Sequence, residues 1–102
     1  MSNMETTSIK RLKIQKHIKC LLPLLDGVHA LTALYNSDQI WKVNLETGEM
    51  KICFGGDLGK DDGKPDTVKF NNPWGLAMKS NGSVVVADTW NHLIREISPC
   101  GK

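Results

Sequence analysis

Apolar and polar positions alternate in short runs along most of this chain, and apolar residues at helical spacing are scarce. Near the N-terminus Leu12, Ile14, Ile18 and Cys20 are separated by Lys13, Gln15, His17 and Lys19. This period of two predicts a half-buried strand, interrupted at Lys16. Next comes Leu21-Leu22-Pro23-Leu24-Leu25, where Pro23 lacks a backbone donor and restricts the piece to an edge or irregular strand. Asp26-Gly27 marks a turn before a strand over residues 28–34, and residues 35–38 form a polar turn. Ile40-Trp41-Lys42-Val43 alternates again, residues 44–48 turn, and residues 50–54 make a further strand. A polar loop over residues 55–72, rich in Gly and Asp, leads to Pro73 and a short strand over 74–78. Asn81-Gly82 is a hairpin signal, because both residues accept the positive φ of a type I′ turn. The β-branched run 83–87 reads as a strand covered on both faces; residues 88–92 turn, and 93–97 alternate once more. Short strands about 8–12 residues apart, punctuated by turn signals, predict an all-β fold.

The rhythm repeats. The shift that carries Ile40 to Ile94 lays Ile40-Trp41-Lys42-Val43 on Ile94-Arg95-Glu96-Ile97, Ala33 on Ala87 and Ser37 on Asn91. With a slip of one position Asp26-Gly27 falls on Asn81-Gly82, and the Leu-rich piece falls on residues 74–78. The chain therefore holds two copies of one unit of turn-linked strands, the first with four strands and the second with three.

Composition adds boundaries. The chain has 102 residues, a net charge of +2 and 24% charged residues, the profile of an ordinary globular domain. No apolar stretch of about 18 residues is present to span a membrane. The charge is uneven: in the arm that ends at Lys19, the basic residues Lys10, Arg11, Lys13, Lys16 and Lys19 face only Glu5, whereas residues 20–102 carry a small acidic excess. A basic arm can contact phosphate or anionic lipid, but is more often a solvated terminus. Cys20, Cys53 and Cys100 lack metal-ligand spacing and are too few for a disulfide framework, so a reducing compartment is expected. The polar run after Met1 is unlike a signal peptide, which points to a cytoplasmic location and leaves the sequon at Asn81 bare. His17 and His29 have no Asp, Cys or Ser in triad-like order and are assigned no chemistry. In the loop after Phe54, neither Gly-Lys pair has the upstream Gly or the following Ser or Thr of a P-loop. An EF-hand register starting at Asp57 puts Asp62 and Val68 where Gly and Glu are needed.

The second unit carries a resemblance. Phe70-Asn71-Asn72-Pro73-Trp74-Gly75-Leu76-Ala77, the Asn81-Gly82 turn, and Val86-Ala87-Asp88-Thr89-Trp90-Asn91-His92-Leu93-Ile94-Arg95 resemble an NHL repeat, named for the Asn-His-Leu found here as Asn91-His92-Leu93. The first unit is a degenerate copy, with Leu34-Tyr35 for Asp-Thr and Ser37-Asp38 for Asn-His. The resemblance covers about residues 20–101 and implies antiparallel four-stranded blades of a β-propeller. It divides the chain into a basic arm at 1–19, a degenerate blade at 20–54, an inter-blade loop at 55–72, and an NHL repeat at 73–102 whose fourth strand is missing. Propellers close with about 4–8 blades, so fewer than two complete blades cannot form a ring. A fragment or truncated product is preferred to assembly with other chains, and both ends of the array are expected to expose apolar blade faces.

The resemblance also assigns roles. Pro73, Gly75, Asn81, Gly82, Asp88, Thr89, Asn91 and His92 are expected to be structural. Gly75 would allow close approach on the innermost strand, and the polar residues of 88–92 would hydrogen-bond the loop that carries them. The inter-blade loop and the loop at 89–92 should emerge on one face, giving a partner-binding surface of Trp74, Trp90, Asn91, His92 and Arg95. A non-enzymatic binding or scaffold module, acting on a protein partner without a cofactor or metal, is the reading preferred. RNA binding is an alternative, since some NHL propellers of tripartite-motif ubiquitin ligases bind RNA, although the acidic body speaks against it. A propeller enzyme like the amidating lyase or the lactonases is a second alternative, without a visible catalytic constellation.

Overall fold

The computed structural model of the protein describes residues 8–14, 16–55 and 69–98. It is all-β. Strands β1 (Ile18–Pro23), β2 (His29–Leu34), β3 (Ile40–Asn44) and β4 (Met50–Phe54) form a four-stranded antiparallel sheet in sequential order. Strands β5 (Gly75–Met78), β6 (Val84–Asp88) and β7 (Leu93–Ile97) form a three-stranded sheet, again sequential and antiparallel. Two sheets of this kind, side by side, are the architecture of a partial propeller.

Register carries the repeat. Ala33 lies opposite Ile40 and Ala30 opposite Val43; in the second sheet Ala87 lies opposite Ile94 and Val84 opposite Ile97, so the shift from Ile40 to Ile94 is kept throughout. On the innermost strand Cys20 faces Ala33 while Gly75 faces Ala87, one position out of step. That slip matches the shift of the hairpin turn from Gly27 to Gly82. Gly82 has φ +91°, a conformation that costs a side-chain-bearing residue and suits glycine.

Pro23 ends β1, which occupies the sheet edge, where its missing donor is harmless. β1 begins at Ile18, and its pairing with β2 shifts register between Ile18 and Cys20. The strand expected further upstream does not form: residues 8–14 are irregular. The alternation survives there as burial, with Leu12 and Ile14 half-buried and Arg11 and Lys13 exposed.

The core lies between the sheets. Leu31, Ala33 and Ile40 of the first sheet meet Val84 and Val86 of the second, with Phe70 wholly buried among them. Cys20, Leu22, Leu76, Met78 and Ile97 close its margin. Since side chains alternate along a strand, the first sheet's other face carries Ala30, Thr32, Leu34, Trp41 and Val43. The second sheet's other face carries Ala77, Val85, Ala87 and Ile94.

At the end of β4, Gly55 adopts φ +105°; a Cβ there would stand 3.1 Å from the Gln39 Cα and 3.2 Å from the Phe70 ring. Gly75 is different from expectation. A Cβ on it meets only the Ala87 Cβ, at an ordinary 3.9 Å, so no close approach among the described residues explains this glycine.

Candidate functional site: the loop face

The β6–β7 connection is a short 3-10 turn, Thr89–Asn91, closed by His92 in the left-handed conformation (φ +58°). Asp88, fully buried at the end of β6, organises everything around it. Its Oδ1 accepts the backbone N–H of Asn71 at 2.7 Å; its Oδ2 accepts the Asn91 amide and Arg95 Nη1, each at 2.8 Å. The Trp90 N–H donates to the Asn71 carbonyl at 3.1 Å, and the His92 N–H to that of Thr89. The Thr89 hydroxyl donates locally, to the Ala87 carbonyl. The segment entering β5 and the β6–β7 turn are thus tied together. Residues 56–68 of the inter-blade loop lie outside the described residues.

Arg95 is a correction. The sequence groups it with the partner-binding side chains, but only 7% of it is exposed. Besides Asp88 it donates to the Lys69 carbonyl at 2.9 Å, and its guanidinium lies 5.4 Å from the centre of the Phe70 ring. A charge paired this way braces the turn and is withdrawn from solvent. The signal was present in the pattern: Val84, Val86 and Asp88 share the buried face of β6, and Arg95 lies opposite Val86 on that face. In the first blade Leu34 and Trp41 stand at the positions of Asp88 and Arg95, so an apolar pair replaces the ion pair.

What remains exposed is aromatic. Trp90 is 65% exposed and, with Thr89 and His92, borders a shallow concavity. Trp74 is 45% exposed and meets Tyr35 edge-on, with ring centres 5.5 Å apart. Asn91 is half-buried by its bond to Asp88.

Two residues that the sequence did not single out join the blades here. Lys19 Nζ donates to Asn72 Oδ1 at 2.7 Å and to the Pro73 carbonyl at 3.0 Å, and sits 4.3 Å from the centre of the Trp74 ring. Burial pushes its ammonium pKa down from the usual lysine value. Asp38 Oδ1 accepts the Asn72 N–H at 2.9 Å. On the first blade Lys16 and His17 of the arm face Tyr35, Ser37, Gln39 and Trp41 across a depression of about 350 Å³. Lys16 Nζ lies 5.2 Å from the Trp41 ring centre, and Trp41 Nε1 donates to Ser37 Oγ at 2.9 Å.

His29, given no partner by the sequence, has one. Its Nδ1 lies 2.7 Å from Asp26 Oδ2, and Asp26 Oδ1 accepts the Val28 and His29 N–H groups. Among the described residues no group of three or more His, Cys, Asp or Glu is placed to hold a metal ion. Cys20 is a half-buried free thiol, and Cys100 lies outside the described residues. No helix among the described residues is long and apolar enough to cross a membrane.

Comparison with known proteins agrees with this geometry. Residues 70–97 match the family profile described as NHL repeat. The chain is 45% identical over 56 residues to NHL repeat-containing protein 2 of Gallus gallus, covering 54% of this chain and 8% of that protein. It is 30% identical over 90 residues to the E3 ubiquitin-protein ligase TRIM71 of Xenopus tropicalis, covering 78% of this chain and 10% of that one. It is 28% identical over 86 residues to the chloroplastic protein SUPPRESSOR OF QUENCHING 1 of Arabidopsis thaliana, covering 76% and 8%. The chain spans about a tenth of the length of these relatives.

Proposed function

We propose that this chain, which carries an NHL repeat at residues 70–97, is a non-enzymatic repeat module that binds a protein partner through its loop face. One observation carries the reading: Trp90 is held out into solvent on a turn that the buried Asp88–Arg95 pair makes rigid. A large aromatic that loses little freedom on contact is a favoured interface anchor. Trp74, braced edge-on by Tyr35, is a second exposed aromatic that such a partner could contact. The relatives are consistent with a module of this kind, two of them being named for NHL repeats or as a ubiquitin-protein ligase.

RNA is the less favoured ligand. Base stacking needs open aromatic faces beside cations. Here the Lys19 ammonium already covers a face of Trp74, and Lys16 lies over Trp41. The acidic excess of the blades points the same way.

The test is selection of a displayed random-peptide library on the immobilised chain, followed by titration of a selected peptide. The reading expects binding that Trp90→Ala weakens at least roughly tenfold, about 1.4 kcal/mol, with single-stranded oligouridylate unbound. Equal peptide affinity for wild type and variant, or tight oligouridylate binding, contradicts it.

A further inference from the structure

The two sheets expose their outer faces unequally. On the second sheet's outer face Ala77 and Ala87 are open and Ile94 is 78% exposed. On the first sheet's outer face Ala30, Thr32, Leu34 and Val43 are all buried. An edge blade with nothing against it would show these residues to water. Described residues of the N-terminal arm lie along this face. The Lys13 carbonyl and Leu12 side chain lie against Gly48 at the β3–β4 turn, and Lys16 lies over Trp41, a side chain of that face. Leu12 and Ile14 are half-buried there while their neighbours Arg11 and Lys13 are exposed. Among the described residues the first sheet's outer face is therefore covered and the second's is exposed.

Repeat register identifies what such a face would otherwise receive. The contact inside the molecule joins Leu31, Ala33 and Ile40 of the first sheet to Val84, Val86 and Ile97 of the second. The shift that carries Ile40 to Ile94 makes Val85, Ala87 and Ile94 the counterparts of the first set. The same shift makes Ala30, Thr32 and Val43 the counterparts of the second set. The open face of the second sheet and the arm-covered face of the first are thus two halves of a contact that the chain already makes once.

We propose that the arm residues 8–14 and Lys16 are an intramolecular cap on the first blade. While the cap is seated, no neighbouring blade can take that face. When it is displaced, two copies of the chain stack head to tail, with Val85, Ala87 and Ile94 of one against Ala30, Thr32 and Val43 of the next. This contact is heterologous, so uncapped chains add head to tail beyond a dimer, and the rotation between successive blades decides whether the row closes into a ring.

Sedimentation equilibrium on the full chain, alone and with Leu12→Asp and Ile14→Asp, tests the cap. Removing two half-buried apolar contacts should let the double variant associate at a roughly tenfold lower concentration than wild type. Adding Ile94→Lys, on the open face of the second sheet, should return it to wild-type behaviour. Unchanged association of the double variant, or association indifferent to Ile94→Lys, overturns the proposal. Should circular dichroism show the double variant unfolded, nuclear Overhauser contacts in the wild-type chain decide. Contacts from the Leu12 methyls to Gly48 and from the Lys16 side chain to the Trp41 ring support the cap; their absence overturns it.

Discussion

Arg95 Nη1 donates to Asp88 Oδ2 at 2.8 Å, with Asp88 fully buried and Arg95 nearly so. The pair joins three segments distant in sequence: the strand exit at Asp88, the middle of β7, and the run Lys69 to Asn71 that enters β5. Removing one member takes a close counter-charge from a buried partner. Asp88→Ala should therefore destabilise the chain by about 3–5 kcal/mol, seen as a lower urea midpoint. It also deprives the Asn71 N–H and the Asn91 amide of the acceptor that Asp88 provides.

Phe70 is the largest wholly buried side chain among the described residues and packs between the sheets. Phe70→Ala should cost about 3–5 kcal/mol through lost apolar burial and the cavity left behind. Because the residue contacts both sheets, its loss should lower the protection of amides in β2 and β6 together, measured by hydrogen exchange.

Gly55 combines a positive φ with crowding by Gln39, Phe70 and the Asp38 carbonyl. Gly55→Ala should destabilise by about 1–3 kcal/mol. Gly75→Ala, with ordinary space around it and no positive φ, should change the urea midpoint far less. Comparing the two midpoints checks that backbone conformation, and not the mere presence of glycine, decides the cost.

Asp26 accepts the Val28 and His29 N–H groups and then the His29 side chain, which hold its carboxyl well below the usual range. The Lys79 ammonium lowers Glu96 in the same direction. A carboxyl whose folded pKa is depressed contributes stability above its unfolded pKa of about 3.9 and loses it as pH falls further. Stability should thus decline below about pH 4. Asp26→Asn keeps the turn's backbone acceptor and should flatten part of that decline, measured as urea midpoints from neutral pH downwards.

The strands were legible because each rests on a local signal. Pro23 at an edge, Asn81-Gly82 in a tight turn, and the alternation of Leu93 to Ile97 need only neighbouring residues to be read. The repeat shift was legible for the same reason. Contacts between blades were not. Lys19 of the first blade reaches Asn72 and Pro73 at the entry to the second, and Asp38 reaches Asn72 as well; no spacing rule couples such distant positions. Arg95 was misplaced because a cation on an alternating strand reads as solvent-facing until the partner across the hairpin is identified. The alternation of Leu12 and Ile14 marked a half-buried side correctly, but residues 8–14 join no strand ladder.

The most direct test of the binding account is to titrate a library-selected peptide into isotope-labelled chain and map the shifted resonances. The account predicts changes centred on Thr89, Trp90 and His92, including the Trp90 indole N–H, and extending towards Trp74. Changes confined to Val85, Ala87 and Ile94 on the open face of the second sheet, with the Trp90 indole unmoved, would contradict it.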